Sequence, residues 1–138
     1  MMKTMNRDKI FERIKKWIED LNEEDCIVLV EGIKDVKALR SLGILCNIET
    51  INRGVSINTL IEQLKSKNKK VVILTDWDRT GNELTEKLIF FSSNTGLKYD
   101  LLYRKKIIVL FSKETYSIES IYKIYAKYIR TATHDKKL

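Results

Sequence analysis

The run Val71-Val72-Ile73-Leu74, leading into Thr75-Asp76-Trp77-Asp78-Arg79-Thr80-Gly81, constrains this chain more than any other stretch. Four consecutive apolar residues, mostly β-branched, leave no polar face. As a strand they must be covered on both sides, as in a parallel sheet. Asp76 and Asp78 then fall at or just past the carboxyl end of the strand, the edge at which open α/β sheets bind ligands. Carboxylates this close raise each other's pKa unless a cation sits between them, and hard oxygen donors suit Mg2+ or Mn2+. A divalent-metal site is one reading. A solvated acidic turn after a core strand is the other.

The rest of the chain can be placed around that strand. Ile10, Phe11, Ile14, Trp17, Ile18 and Leu21 recur at helical spacing, which predicts an N-terminal helix over about 7–21 after a frayed start. Cys26-Ile27-Val28-Leu29-Val30 is a second unbroken apolar run, ending at Glu31-Gly32. A helix over 35–42 follows, with Asp35 in its first turn facing the macrodipole and Gly43 as its stop. Residues 45–51 read as a third strand. Ser56 caps a helix carrying Ile57, Leu60, Ile61 and Leu64. Beyond Gly81 lies a helix marked by Leu84, Leu88 and Phe91, with Glu83 and Lys87 as an i,i+4 pair and Ser92 to Gly96 as its break. The last strand is 98–102 or 107–111, the first being favoured because it follows at ordinary loop length. A C-terminal helical segment over about 103–130 closes the chain, and a disordered tail is expected from Thr131.

Strands alternating with helices mean a parallel sheet with helices on both faces, here four-stranded. In a 2-1-3-4 order the first and third strands are neighbours and the topological switch point lies between them. Glu31 would then meet Asp76 and Asp78 in the one crevice this architecture provides, which strengthens the metal reading.

At 138 residues the chain suits a single domain with one sizeable core. No apolar run approaches a membrane span, and charges interrupt the N-terminus where a signal peptide would be continuous, so a cytoplasmic protein is expected. Cys26 and Cys46 read as small core side chains, and His134 as a solvated tail residue. The net charge of +7 favours a polyanionic partner. Three basic clusters carry it: Lys65, Lys67, Lys69 and Lys70; Arg104, Lys105 and Lys106; and Lys123, Lys127, Arg130, Lys136 and Lys137. Each also reads as a solvated face.

Glu31-Gly32-Ile33-Lys34-Asp35-Val36-Lys37-Ala38-Leu39 followed by Thr75-Asp76-Trp77-Asp78-Arg79-Thr80-Gly81 resembles the paired motifs of the Toprim domain, the fold of topoisomerases, bacterial-type primases and the maturase of 5S ribosomal RNA. The likeness spans about 26–102. The whole chain looks like the small stand-alone Toprim proteins of archaea. The resemblance implies Glu31 as general acid or base that also touches metal, Asp76 and Asp78 as Mg2+ ligands (Mn2+ as a substitute), and a nucleic-acid partner, RNA or DNA. Lys34 and Arg79 stand beside these positions as phosphate contacts or as ordinary surface charges. Thr80 occupies the place of the third aspartate of type II topoisomerases, so the pattern is nearer to primases and the maturase. The tyrosine-bearing domain that a strand-passing topoisomerase needs is not expected here. Trp77 reads as core rather than as a base-stacking platform.

Two other classes compete. Asp76-Trp77-Asp78-Arg79-Thr80 also spells the first motif of haloacid-dehalogenase-type phosphatases, but it lies past the middle of the chain and no acidic pair follows it. A receiver domain would need an acidic pair after the first strand, which Glu31-Gly32 does not supply. Alternatively, the same fold and metal site serve a non-catalytic module that presents nucleic acid, or a protein partner, to another enzyme.

Overall fold

The computed structural model describes residues 7–111 and 115–135. In chain order the elements are α1 (Arg7–Glu23), β1 (Cys26–Val30), α2 (Ile33–Leu42), β2 (Asn47–Thr50), α3 (Ile57–Lys65), β3 (Lys70–Ile73), α4 (Arg79–Thr95), β4 (Tyr99–Asp100), α5 (Leu102–Phe111) and α6 (Ile118–Asp135). The strands form one parallel sheet in the order β2-β1-β3-β4. This is the expected α/β architecture, with the switch point between β1 and β3.

The two apolar runs do what their lack of a polar face requires. Val28 and Val30 of β1, with Val72 and Leu74, pack into a core with α1, α2, α5 and α6. The alternate residues Ile27, Leu29, Val71 and Ile73 pack on the other face against Leu60, Ile61 and Leu64 of α3 and Leu88 of α4. Every residue of β1 is buried. At roughly 25 cal/mol per Å2 of apolar surface, each such side chain contributes about 1.5–3 kcal/mol, and the double coverage fixes the order of the layers. Gly43 closes α2 in the left-handed region at φ 100°, and the Ser56 hydroxyl caps α3 by accepting from the Thr59 N–H.

Several expectations are corrected. Residues 131–135 are the last turns of α6 rather than a disordered tail, because the apolar side of Ile118 and Ile121 anchors one continuous helix. Ser92 to Thr95 continue α4 to a left-handed Gly96. Buried Ser92 and Thr95, whose hydroxyl bonds back to the Phe91 carbonyl at 3.0 Å, fit the helix better than a break. Glu83 pairs with Arg79, one turn before it, at 3.3 Å, and no pair with Lys87 is seen among the described residues. The last strand falls within 98–102, and 107–111 is the second half of α5. The expected fraying of Met1 to Asn6, the solvation of His134, and Lys136 and Lys137 lie outside what is described. Cys26 and Cys46 are free thiols. Burial, and then the neighbouring Cys46, pushes the Cys26 thiol up to about 12, so it stays protonated as a core side chain.

Candidate metal centre

Glu31 is the first residue past β1, and Asp76 follows β3 by a short extended segment whose Leu74 N–H still bonds the Leu29 carbonyl at 2.8 Å. Parallel pairing of β1 with β3 brings the two ends together. The Asp76 N–H donates to Glu31 Oε2 at 2.9 Å, a bond between residues 45 apart in sequence. The carboxylates of Glu31 and Asp76 therefore share the switch-point crevice, as their positions predicted.

Asp35 joins them. From the first turn of α2 its buried carboxylate reaches back to the Gly32 N–H at 3.1 Å, so it lies beside Glu31 instead of merely facing a helix dipole. Burial raises its pKa first, against the Gly32 N–H, and the Glu31 and Glu119 charges raise it further. Asp78 is placed differently. It is exposed and caps α4, its Oδ1 accepting the Gly81 N–H at 2.7 Å. Its repulsion of Asp76, expected from the close spacing, is taken over by Glu31 and Asp35.

Asp76 is the focus of the field. Burial drives its carboxyl up to about 7, the Ile118 N–H holds it down, and the charges of Glu31 and Asp35 add to the rise. Ile118 opens α6, so Asp76 Oδ1, at 3.1 Å from that nitrogen, sits on a helix N-terminus. Trp77 sets this contact. Its backbone N–H donates to the Tyr116 carbonyl at 2.9 Å and its indole N–H to the Thr115 carbonyl at 2.7 Å. The tryptophan is core, as expected, and it also ties the segment before α6 to the site.

Arg104 is the residue that spacing did not reveal. From α5 its half-buried guanidinium donates through Nε to the Thr75 carbonyl at 3.1 Å, and through Nη2 to the Asp76 carbonyl and to Asn82 Oδ1, both at 2.8 Å. Burial lowers its pKa, and the charges of Glu31 and Asp76 pull it back up. Lys34 is exposed one residue before Asp35, and Arg79 is exposed beside Glu83. The first lysine cluster lies elsewhere. Lys70 opens β3 at the amino edge of the sheet and pairs with Glu24 and Asp100, Lys69 pairs with Asp25, and Lys67 with Glu49. Those charges are met within the fold.

Among the described residues, no three acidic, histidine or cysteine side chains stand close enough to hold an ion as placed. Mg2+ does not need a closed cage, since it keeps several waters and takes one or two carboxylates. The donor set fits it. Glu31 and Asp76 offer hard oxygens from fixed positions, and a cation between them would relieve the repulsion that holds Asp76 near neutrality.

That repulsion has a measurable sign. A carboxyl whose folded pKa lies above its unfolded value contributes most below the unfolded value, near 4, and loses that contribution as pH rises through about 7. Metal-free protein should therefore lose stability between about pH 4 and 7 relative to Asp76→Asn. The expected difference is on the order of 2 kcal/mol: one unit is worth about 1.4 kcal/mol, and solvent at the half-open site screens part of it. Urea midpoints across that range, in chelator, test this. Parallel curves for the two proteins would refute it.

A Toprim domain model matches residues 26–112. A UPF0292 protein of Methanosarcina acetivorans is 34% identical over 128 residues, covering 91% of this chain and 88% of that one. A UPF0292 protein of Pyrococcus abyssi is 35% identical, covering 86% of each chain. Among solved structures, a putative protein from Aquifex aeolicus superposes with a TM-score of 0.62 at 25% identity, over 83% of this chain and 97% of that one.

Proposed function

The chain belongs to the Toprim domain family, and we propose that it is a Mg2+-dependent protein acting on nucleic-acid phosphodiesters, by cleavage or nucleotidyl transfer. The family supports a metal-binding, nucleic-acid-related role. The observation that carries the finer reading is the bond from the Asp76 N–H to Glu31 Oε2, which brings the ends of β1 and β3 into one acidic crevice.

Glu31 and Asp76 would hold the ion, with the Asp78 oxygen that does not cap α4 within the same stretch of chain. When bound, Mg2+ supplies charge stabilisation at phosphoryl oxygens. Glu31 exchanges a proton with the attacking or leaving oxygen, the role its exposed end of β1 suits. Asp76 is held in orientation by the Ile118 N–H and Trp77, and Arg104 fixes the carbonyls that flank it. Lys34 and Arg79, exposed at the same edge, take the phosphates on either side. The partner is RNA or DNA, approaching the carboxyl edge rather than the lysines of the amino edge. Among the described residues no helix is long and apolar enough to cross a membrane.

Calorimetric titration with Mn2+ tests the site. Wild type should bind, and Asp76→Asn should lose tenfold or more in affinity. Asp78→Asn is a clean second probe, because asparagine caps a helix as well as aspartate does and only the charge is removed. Its loss should be smaller, and the double variant should not bind. Equal affinity in wild type and the double variant ends the reading.

A further inference from the structure

The way Arg104 is fastened bears on how many ions the crevice takes. Three hydrogen bonds, to the Thr75 and Asp76 carbonyls and to Asn82, fix the plane of its guanidinium against the residue whose carboxylate is the focus of the site. A surface arginine held by solvent alone could swing away, but this one spans α5, the end of β3 and the first turn of α4. Its charge is permanent, since a guanidinium does not lose its proton in a protein.

We infer that Arg104 stands in the place of a second cation, so that the crevice takes a single divalent ion. The inference rests on the metal site proposed above. A two-ion site needs carboxylates enough to neutralise four positive charges within about 4 Å. Here Glu31, Asp35 and Asp76 bring three negative charges together, and Arg104 answers one of them. The two that remain match one divalent ion. Asp78 is met separately, by the N-terminus of α4 that it caps. A second ion on the β3 side of the crevice would face a fixed positive charge at short range, where the partly buried setting screens little.

Counting Mn2+ per chain by calorimetry, with electron paramagnetic resonance of the free ion as a check, tests this. Wild type should bind one ion. Arg104→Gln should bind two and hold the first more tightly, while Arg104→Lys, which keeps the charge, should still bind one. Circular dichroism identifies any variant that has not folded. If the glutamine variant does not fold, the wild-type count decides, with one ion in favour and two against. Two ions in wild type, or one ion in wild type and folded Arg104→Gln alike, would overturn the inference. If wild type binds no ion, or binds it undiminished in the double aspartate variant, the metal site itself fails, and the two failures are told apart.

Discussion

Gly81→Ala is expected to cost about 3 kcal/mol or more in unfolding free energy and to abolish metal binding. Gly81 is the third residue of α4, with its N–H on Asp78 Oδ1. A Cβ there would stand 2.1 Å from the Asp76 carbonyl oxygen, 2.6 Å from the carbonyl carbon and 2.9 Å from Asp78 Oδ1. The first two are backbone atoms and cannot rotate aside. Helix propensity favours alanine over glycine by about 1 kcal/mol, so on propensity alone the variant would be more stable. Overpacking costs about 1–3 kcal/mol when side chains can yield and more when they cannot, so the clash wins. The strand end that must move carries Asp76, and the carbonyl in question is also bonded by Arg104. Damage to stability and to the site should therefore come together. Gly54→Ala is the control. Nothing lies within 4 Å of its Cβ position and only its φ of 79° is strained, which costs about 1–2 kcal/mol without touching the crevice. Urea midpoints and Mn2+ titrations of both variants check this. A Gly81→Ala protein as stable as wild type would mean that α4 is not pinned to Asp76.

The crevice was legible in the sequence because its two principal carboxylates end apolar runs. A run without a polar face can only be a doubly covered strand, parallel strands share a carboxyl edge, and the 2-1-3-4 order puts the first and third side by side. Glu31 and Asp76 follow from those steps alone. Asp78 does not behave as spacing implied, because a carboxylate just before a helix is also its best cap, and that local bond won. Asp35 was seen only as a first-turn acid, since nothing in its spacing shows that its side chain turns back to Gly32 and is buried there. Arg104 was hidden for a different reason. It sits in a run of three cations that reads as a solvated face, and the bonds that distinguish it reach 28 and 29 residues back along the chain. The contact from Ile118 to Asp76, 42 residues apart, depends on Trp77 anchoring the segment before α6, which no periodicity encodes. The first lysine cluster misled in the opposite sense, its charges being answered by Glu24, Asp25, Glu49 and Asp100.

Glu31→Gln is expected to leave folding intact and to lower activity a hundredfold or more, on the order of a lost acid-base group. Glutamine keeps the length of the side chain, and its carbonyl oxygen can still accept the Asp76 N–H that Glu31 Oε2 now takes at 2.9 Å. Removing the charge takes one member from a repelling set, so the metal-free variant should be as stable as wild type or slightly more so. The loss of the ion pair with Arg104 works against that gain, but the two are not in direct contact and Arg104 keeps its three anchors. A large fall in melting temperature without metal would instead make Glu31 a structural residue. The direct test is to incubate labelled single-stranded and duplex RNA and DNA with wild type and Glu31→Gln, each with Mg2+ and with chelator. The account predicts cleavage or joining by wild type in Mg2+, none in chelator, and at least a hundredfold slower reaction by the variant. Activity that survives the chelator, or an equal rate from Glu31→Gln, would contradict it.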